Sequence, residues 1–441
     1  MVDSKSKPGG PASPDREVAA LATTVVSVAF LCNFLGRGIV GTFMVFMLPV
    51  EIEFGWARST LTGVFAFYLM TVGLMSPGMG KLYDKYGPRN IYLFGMFSLF
   101  ASMLGAGYAT QLWQFYVFIG LLGGIGASAL GIVPATALIR GWFDKKLSLA
   151  IAVAYAGLGA GILVVVPIVQ LLIDAQGWRN AYFYIAFALL GLVPVLLVLP
   201  WKKIGLGRPA LQLKTETHKS SVVENDPLAT GWTIKTAVRT LEFWLMTQVF
   251  FFAACGVYSV SVQVVVYLVE QGYPAINASL AFGSTGMLSI VGVIFSGWLC
   301  TRIGYRLTAT ISFCASFVGV AALLLFSTVP MAFLVPVYVV FFGLSQGARG
   351  PIVSTFAARI FANGSVASIF GAIFLSASLG GAFGSWISGF LHDATGGYRA
   401  TFVFSAISIL LAGAPFWMSS RLSTGESLPV PNTRGASFQK M

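Results

Sequence analysis

Two arginines stand where charge is expensive. Arg37 lies in Asn33-Phe-Leu-Gly-Arg37-Gly-Ile, within an apolar stretch at 21–49; Arg349 lies in Ser345-Gln346-Gly-Ala-Arg349-Gly-Pro351, within another at 331–358. An arginine at the centre of a membrane helix costs about 2.5–3.5 kcal/mol on insertion scales, so it is kept where it faces a wet cavity or a partner. The chain offers no acid at that depth. All fifteen Asp and Glu residues fall in loops, tails or span ends. Glu51 is 14 residues from Arg37, about 21 Å along a helix. A carboxylate substrate would supply the missing charge, and a guanidinium grips a carboxylate through two parallel N–H bonds. The structural alternative is that these arginines bond helix carbonyls freed by Gly347, Gly350 and Pro351.

Polar neighbours fall at helical spacing. Asn33 and Arg37 are four apart, as are Ser345 and Arg349, with Gln346 three before Arg349. In the stretch 241–268, Ser259 and Gln263 share a face, with Tyr258 beside it. These groups could hold carboxylate or hydroxyl oxygens. Each could equally make an interhelical hydrogen bond. No His, Asp, Glu or Ser constellation of an enzyme lies within the apolar stretches. The four cysteines lack metal spacing, and the glycine-dense runs at 120–131 and 371–384 lack a nucleotide-binding lysine. No enzyme activity, cofactor or metal is therefore expected. The glycines read as close-packing faces.

The elements that must position these residues are membrane helices. The chain is 57% hydrophobic and 10% charged, with a mean hydropathy of +0.83, against about 25% charged for a soluble domain. Apolar stretches long enough to span recur at 21–49, 59–79, 90–109, 112–139, 147–173 and 181–200, then at 241–268, 276–299, 307–328, 331–358, 365–391 and 399–418. The expected domains are a cytoplasmic tail at 1–20, six-helix bundles at 21–200 and 241–418, a cytoplasmic linker at 201–240, and a tail at 419–441. With the start of the chain inside, the inner segments hold 22 Lys and Arg and the outer loops three, namely Arg58, Arg179 and Arg399. That asymmetry sets the orientation, places both termini in the cytoplasm and accounts for the net charge of +12 without nucleic acid. Glu51, Glu53, Glu270 and His392 fall at outer span ends and offer no buried proton relay.

The halves echo each other at an offset of about 217–220 residues. Gly80-Lys-Leu-Tyr-Asp84-Lys-Tyr-Gly87-Pro-Arg89 is matched by Gly297-Trp-Leu-Cys-Thr301-Arg302-Ile-Gly304-Tyr-Arg306. Asp174-Ala-Gln-Gly-Trp178-Arg179 is matched by Asp393-Ala-Thr-Gly-Gly-Tyr398-Arg399. Parallel repeats of six spans imply a pseudo-two-fold axis along the membrane normal and a site between the halves near mid-membrane.

The Gly-x-x-x-Asp-x-x-Gly-x-Arg pattern at 80–89 resembles the loop signature of the major facilitator superfamily, and the resemblance extends from about residue 20 to 420. It implies an all-α integral membrane fold of twelve transmembrane helices in two pseudo-symmetric bundles. It implies a cavity lined by the first and tenth spans, hence by Arg37 and Arg349. It also implies a gating role for Gly80, Asp84, Gly87 and Arg89, echoed at Gly297, Arg302 and Arg306, although Thr301 replaces the acid in the second copy. The run Glu51-Ile-Glu53-Phe-Gly-Trp56-Ala-Arg58-Ser and the Gly-Trp-Arg turn at 177–179 resemble the monocarboxylate porter and oxalate/formate antiporter group. That group often carries a cation in its eighth or eleventh span. Here the eighth has none through Cys300, and the eleventh none before His392.

The sequence thus leads to a transporter of small organic anions, mono- or dicarboxylates, in a bacterial inner membrane. It would work by alternating access as proton symport or anion exchange. Its partners are the anion, a proton or counter-anion, and membrane lipid, and the two-half architecture works as a monomer. The alternative is an exporter of hydrophobic or drug-like compounds, which would favour an acidic cavity.

Overall fold

The computed structural model describes residues 14–143, 147–207, 232, 234–329, 331–361 and 366–419. Every regular element among them is helical. Among the described residues there are twelve long helices, beside short ones at Trp201–Leu206 and Ile234–Ala237: α1 (Pro14–Gly41, continued by Phe43–Phe54), α2 and α3 (the two arms of Arg58–Tyr108), α4 (Leu112–Arg140), α5 (Leu147–Gln176), α6 (Trp178–Val198), α7 (Leu241–Glu270), α8 (Ala275–Ile303), α9 (Tyr305–Phe326), α10 (Leu334–Ile360), α11 (Val366–Thr395) and α12 (Arg399–Met418). The face where α6 ends and α7 begins is called here the linker face, and the other the distal face.

The helices are longer than the apolar stretches that announce them. α1 begins at Pro14, inside the stretch that composition reads as a tail, and carries Glu51 and Glu53 on its last turn. α2 and α3 continue through 80–89, where a loop was expected, and break only at Gly87 (φ 77°). Water satisfies a helical backbone beyond the membrane as well as a loop's, so hydropathy marks the apolar depth and not the helix end. Gly87 supplies a left-handed conformation that side chains resist, and Pro88 cannot extend the preceding hydrogen-bond ladder.

The repeat is written into the backbone. Among the described residues, six of the seven glycines with positive φ form pairs at matching places: Gly55 with Gly272, Gly87 with Gly304, and Gly177 with Gly396. Within one half α1 packs on α5; within the other α7 packs on α11. Between halves, α2 lies against α11 and α5 against α8, while the last turns of α1 meet α7. Both seams are lined by small residues. A Cβ added at Gly159 of α5 would lie 2.2 Å from the carbonyl oxygen of Gly286 on α8. One at Gly73 of α2 would lie 2.4 Å from Ser378 Cβ on α11. One at Gly389 of α11 would lie 2.2 Å from Thr62 Oγ1. The backbones approach this closely because no side chain intervenes. Large apolar side chains such as Phe94, Phe187, Ile294 and Leu410 point outward, as lipid contact requires.

Candidate functional site

A small cavity of about 20 Å³ lies where the halves meet, lined by Arg37 and Met44 of α1, Phe65 of α2, Tyr258 and Ser261 of α7, Thr285 of α8 and Gln346 of α10. It has room for about one water, so the halves are closed around it. The Arg37 guanidinium sits 5.8 Å from the Tyr258 ring centroid. Among the described residues no carboxylate forms an ion pair with it. Gln346 Nε2 is buried and has no hydrogen-bond partner among the described residues. The cavity therefore presents a cation and an N–H donor, with no acid among the described residues to answer either.

The structure sorts the eight candidate binding residues into groups. Arg37, Tyr258 and Gln346 come together at the cavity. Four others tie helices or bond locally. Asn33 Nδ2 donates to the Ala154 carbonyl of α5 at 3.0 Å. Ser345 Oγ donates to Phe342 O at 2.8 Å and accepts from Ser316 of α9 at 2.6 Å. Ser259 Oγ donates to Gly256 O at 3.1 Å. Gln263 Nε2 donates to Ser388 Oγ of α11 at 3.3 Å. Arg349 lies on α10, but its side chain is outside the described residues. Ser261 and Thr285, which line the cavity, were missed. Ser261 follows Tyr258 by three residues and so shares its face; the sequence reading had followed the Ser259–Gln263 face of the same helix.

At the linker face, Asp84 and Arg89 stand exposed, and among the described residues neither makes an ion pair. Gly80 faces α4, where an added Cβ would lie 3.3 Å from Val133 Cγ1. Gly297 has open space around it. Arg302 stacks on Trp298 at 5.8 Å and Arg306 on Trp417 at 3.6 Å.

The strongest polar assembly is at the distal face, among residues first read only as span ends. Arg58, the first residue of α2, is 3% exposed. Its Nε and Nη2 grip Glu51 at 2.9 and 3.0 Å, and Nη2 also donates to Glu270 of α7 at 2.8 Å. Nη1 contacts the Tyr398 hydroxyl and, at 3.1 Å, His392 Nε2 of α11. Asp393 accepts from the backbone N–H groups of Arg58 at 3.2 Å and Ser59 at 2.8 Å, so a carboxylate of one half caps a helix of the other. Tyr398 donates onward to Glu270 Oε2 at 2.6 Å; burial pushes its phenol up, so it remains a donor. A simpler relative of this assembly lies within the first half, where Glu53 accepts from Trp178 Nε1 at 2.6 Å and from Arg179 at 2.8 Å. Glu53 and Glu270 stand 217 residues apart, and Trp178 and Tyr398 stand 220 apart, as in the sequence repeat.

The family model described as Major Facilitator Superfamily matches residues 26–384. The chain belongs to the Major Facilitator Superfamily. Curated relatives are similar over most of its length. Monocarboxylate transporter 13 of Rattus norvegicus is 26% identical, covering 88% of this chain and 86% of the relative. Monocarboxylate transporter 11 of Homo sapiens is 26% identical, covering 92% and 83%. The uncharacterized MFS-type transporter YcxA of Bacillus subtilis is 25% identical, covering 85% and 90%. Among solved structures, a bacterial homolog to human lysosomal transporter Spinster, inward-facing and unoccupied, superposes with a TM-score of 0.70 at 15% identity, covering 91% of this chain and 98% of that one. A major facilitator chain of this kind is an integral membrane transporter and not an enzyme. The twelve-helix, two-half architecture expected from the sequence is that of the superfamily.

Proposed function

We propose that this transporter moves small organic anions, mono- or dicarboxylates, by alternating access, as proton symport or anion exchange. The observation that carries the reading is the cavity at the junction of the halves: a guanidinium and a free amide donor, with no acid among the described residues to pair them. An anion entering there gains charge-assisted hydrogen bonds that no carboxylate among the described residues supplies. The names of the relatives at 26% identity point to the same substrate class. A cavity for cationic drugs would be acidic, and the described lining is not.

In this reading Arg349, on the same helix as Gln346, is the second anion contact. The 80–89 motif and its copy at 297–306 gate the linker face. That face is cytoplasmic, because 22 of the 27 Lys and Arg lie on its segments, and the membrane is a bacterial inner membrane. Each copy works alone, with bundles at 21–200 and 241–418.

The test is uptake of labelled lactate and oxalate into proteoliposomes. Arg37→Ala should cut uptake at least tenfold, and Arg37→Lys, which keeps charge but not the fork, should recover part of it. A hydrogen bond to a charged group is worth about 1.5–3 kcal/mol, or roughly 10–150-fold. Undiminished carboxylate uptake by both Arg37→Ala and Arg349→Ala would overturn the reading.

A further inference from the structure

The distal assembly has a property that the transport site lacks: apart from the one to the Tyr398 hydroxyl, its contacts across the halves, from Arg58 to Glu270 and His392 and from the α2 N-terminus to Asp393, need unprotonated acceptors on the second half. A guanidinium has five N–H donors, and Arg58 uses all of them. Nε and one Nη2 proton go to Glu51, the other Nη2 proton to Glu270, and the two on Nη1 to Tyr398 and His392. The bond to His392 therefore runs from Arg58 to a bare Nε2, and the imidazole proton sits on Nδ1. Among the described residues that Nδ1 has no hydrogen-bond partner, and it stands 3.7 Å from Asp393 Oδ1. The ring is neutral here, with a donor left unsatisfied beside a carboxylate.

The charges sort by half. The first half contributes Arg58 and Glu51. The second contributes Glu270 of α7 and, from α11, Asp393 and His392, with the Tyr398 hydroxyl beside them. These are the charged and titratable groups that face the ring. Crossing the seam, Arg58 meets Glu270 and His392, and the N-terminus of α2 meets Asp393. A proton on Nε2 turns that hydrogen bond into two opposed N–H groups. It also places a cation on the second half beside Arg58, and the added charge makes the Nδ1–H already present compete harder for the Asp393 oxygen that caps α2. All three effects weaken the seam and outweigh the smaller attraction of Glu51 across it. An imidazole ordinarily titrates near pH 6.5, within reach of physiological change. Glu270, His392 and Tyr398 also line a depression of about 630 Å³ on the distal surface, which gives protons from that side direct access.

We propose that the Arg58–Glu51–Glu270–His392–Asp393–Tyr398 cluster is a proton-responsive latch, in which a proton taken up by His392 from the distal side releases the two halves and opens that face. This is a proton-binding site apart from the transport site, with its own coupling to conformation. It does not depend on which substrate is carried, so it can fail or stand independently of the organic-anion reading.

The experiment is a spin–spin distance measurement on full-length protein in lipid nanodiscs. Labels go on Tyr108→Cys at the end of α3 and Val329→Cys beyond α9, both exposed and outside the latch. The background carries Cys32, Cys255, Cys300 and Cys314 as alanine. At pH 8 a single short-distance population is expected. Burial and the Arg58 charge hold the closed-state His392 imidazole below its ordinary value, so lowering the pH should shift molecules to a longer distance, with a midpoint below about pH 6.5. His392→Gln still offers a carbonyl to Arg58 but takes up no proton, and should hold the short distance as the pH falls. Arg58→Ala should show the long distance already at pH 8. If it does not fold, Asp393→Ala, which frees the α2 N-terminus alone, should do the same. Three results would each overturn the proposal: a wild-type distribution that ignores pH, a His392→Gln midpoint equal to wild type, or a closed face at pH 8 with the latch residue removed.

Discussion

At the residue scale, the cavity separates two kinds of buried polar group. Ser259 Oγ and Gln263 Nε2 already have partners inside the bundle, whereas among the described residues Gln346 Nε2 has none. A buried donor without a partner destabilises the protein that carries it by about 1–3 kcal/mol, and a ligand that accepts from it recovers that loss. Gln346→Leu should therefore weaken carboxylate transport by about tenfold in KM while leaving the melting temperature unchanged or higher. Ser259→Ala should leave uptake within twofold of wild type, since its hydroxyl serves only its own helix. Uptake kinetics and thermal unfolding of the two purified variants check both statements. What the sequence made legible here was cost: an arginine in an apolar run stands out, and Arg37 does line the cavity. What it hid was facing. Asn33 shares a helical repeat with Arg37 yet turns to the Ala154 carbonyl. Nothing local told Tyr258–Ser261 apart from Ser259–Gln263 as the cavity face, because that choice is made by helices far away in the chain.

At the scale of elements, the seams decide which states exist. Gly389 leaves its Cβ position to Thr62 Oγ1 at 2.2 Å and Ser59 Cα at 2.7 Å, on the helix whose N-terminus Asp393 caps. A flexible hydroxyl could give way, but the Ser59 backbone could not. Gly389→Val should hold the distal seam apart even at pH 8 and with the latch residues intact. The Tyr108–Val329 label pair should then report the long distance at every pH. The fold itself should survive, because the clash exists only when α2 and α11 are closed; a melting temperature within a few degrees of wild type checks this. Such seams were only half legible. The glycine-dense run at 371–384 was recognised as a packing face from its spacing. Gly389 lies outside it, and its importance comes from a partner more than 320 residues away. The same limit applied to the latch: Glu51, Arg58, Glu270 and His392 fall at span ends, where charge is ordinary, and only the fold gathers them around one guanidinium.

At the scale of the whole molecule, the internal repeat and its departures carry the argument. Both halves end their first helix in a glycine of positive φ preceded by a glutamate, Glu53 or Glu270, that accepts from an aromatic side chain at the start of the sixth, Trp178 or Tyr398. In the first half that pair stays internal and is joined by Arg179. In the second it is joined by Arg58 from the other bundle, so one copy of a structural clasp has become an inter-half contact. Which side of the membrane this contact faces determines what can release it. In the proposed orientation the linker face is cytoplasmic, since translocating a short basic loop opposes the insertion bias. The distal latch would then meet the external medium. Single-cysteine variants in intact cells test the orientation. A membrane-impermeant maleimide should modify Val329→Cys and leave Lys203→Cys unmodified until the cells are permeabilised. The opposite pattern would put the latch on the cytoplasmic side, where pH is buffered, and external acid would then no longer open it.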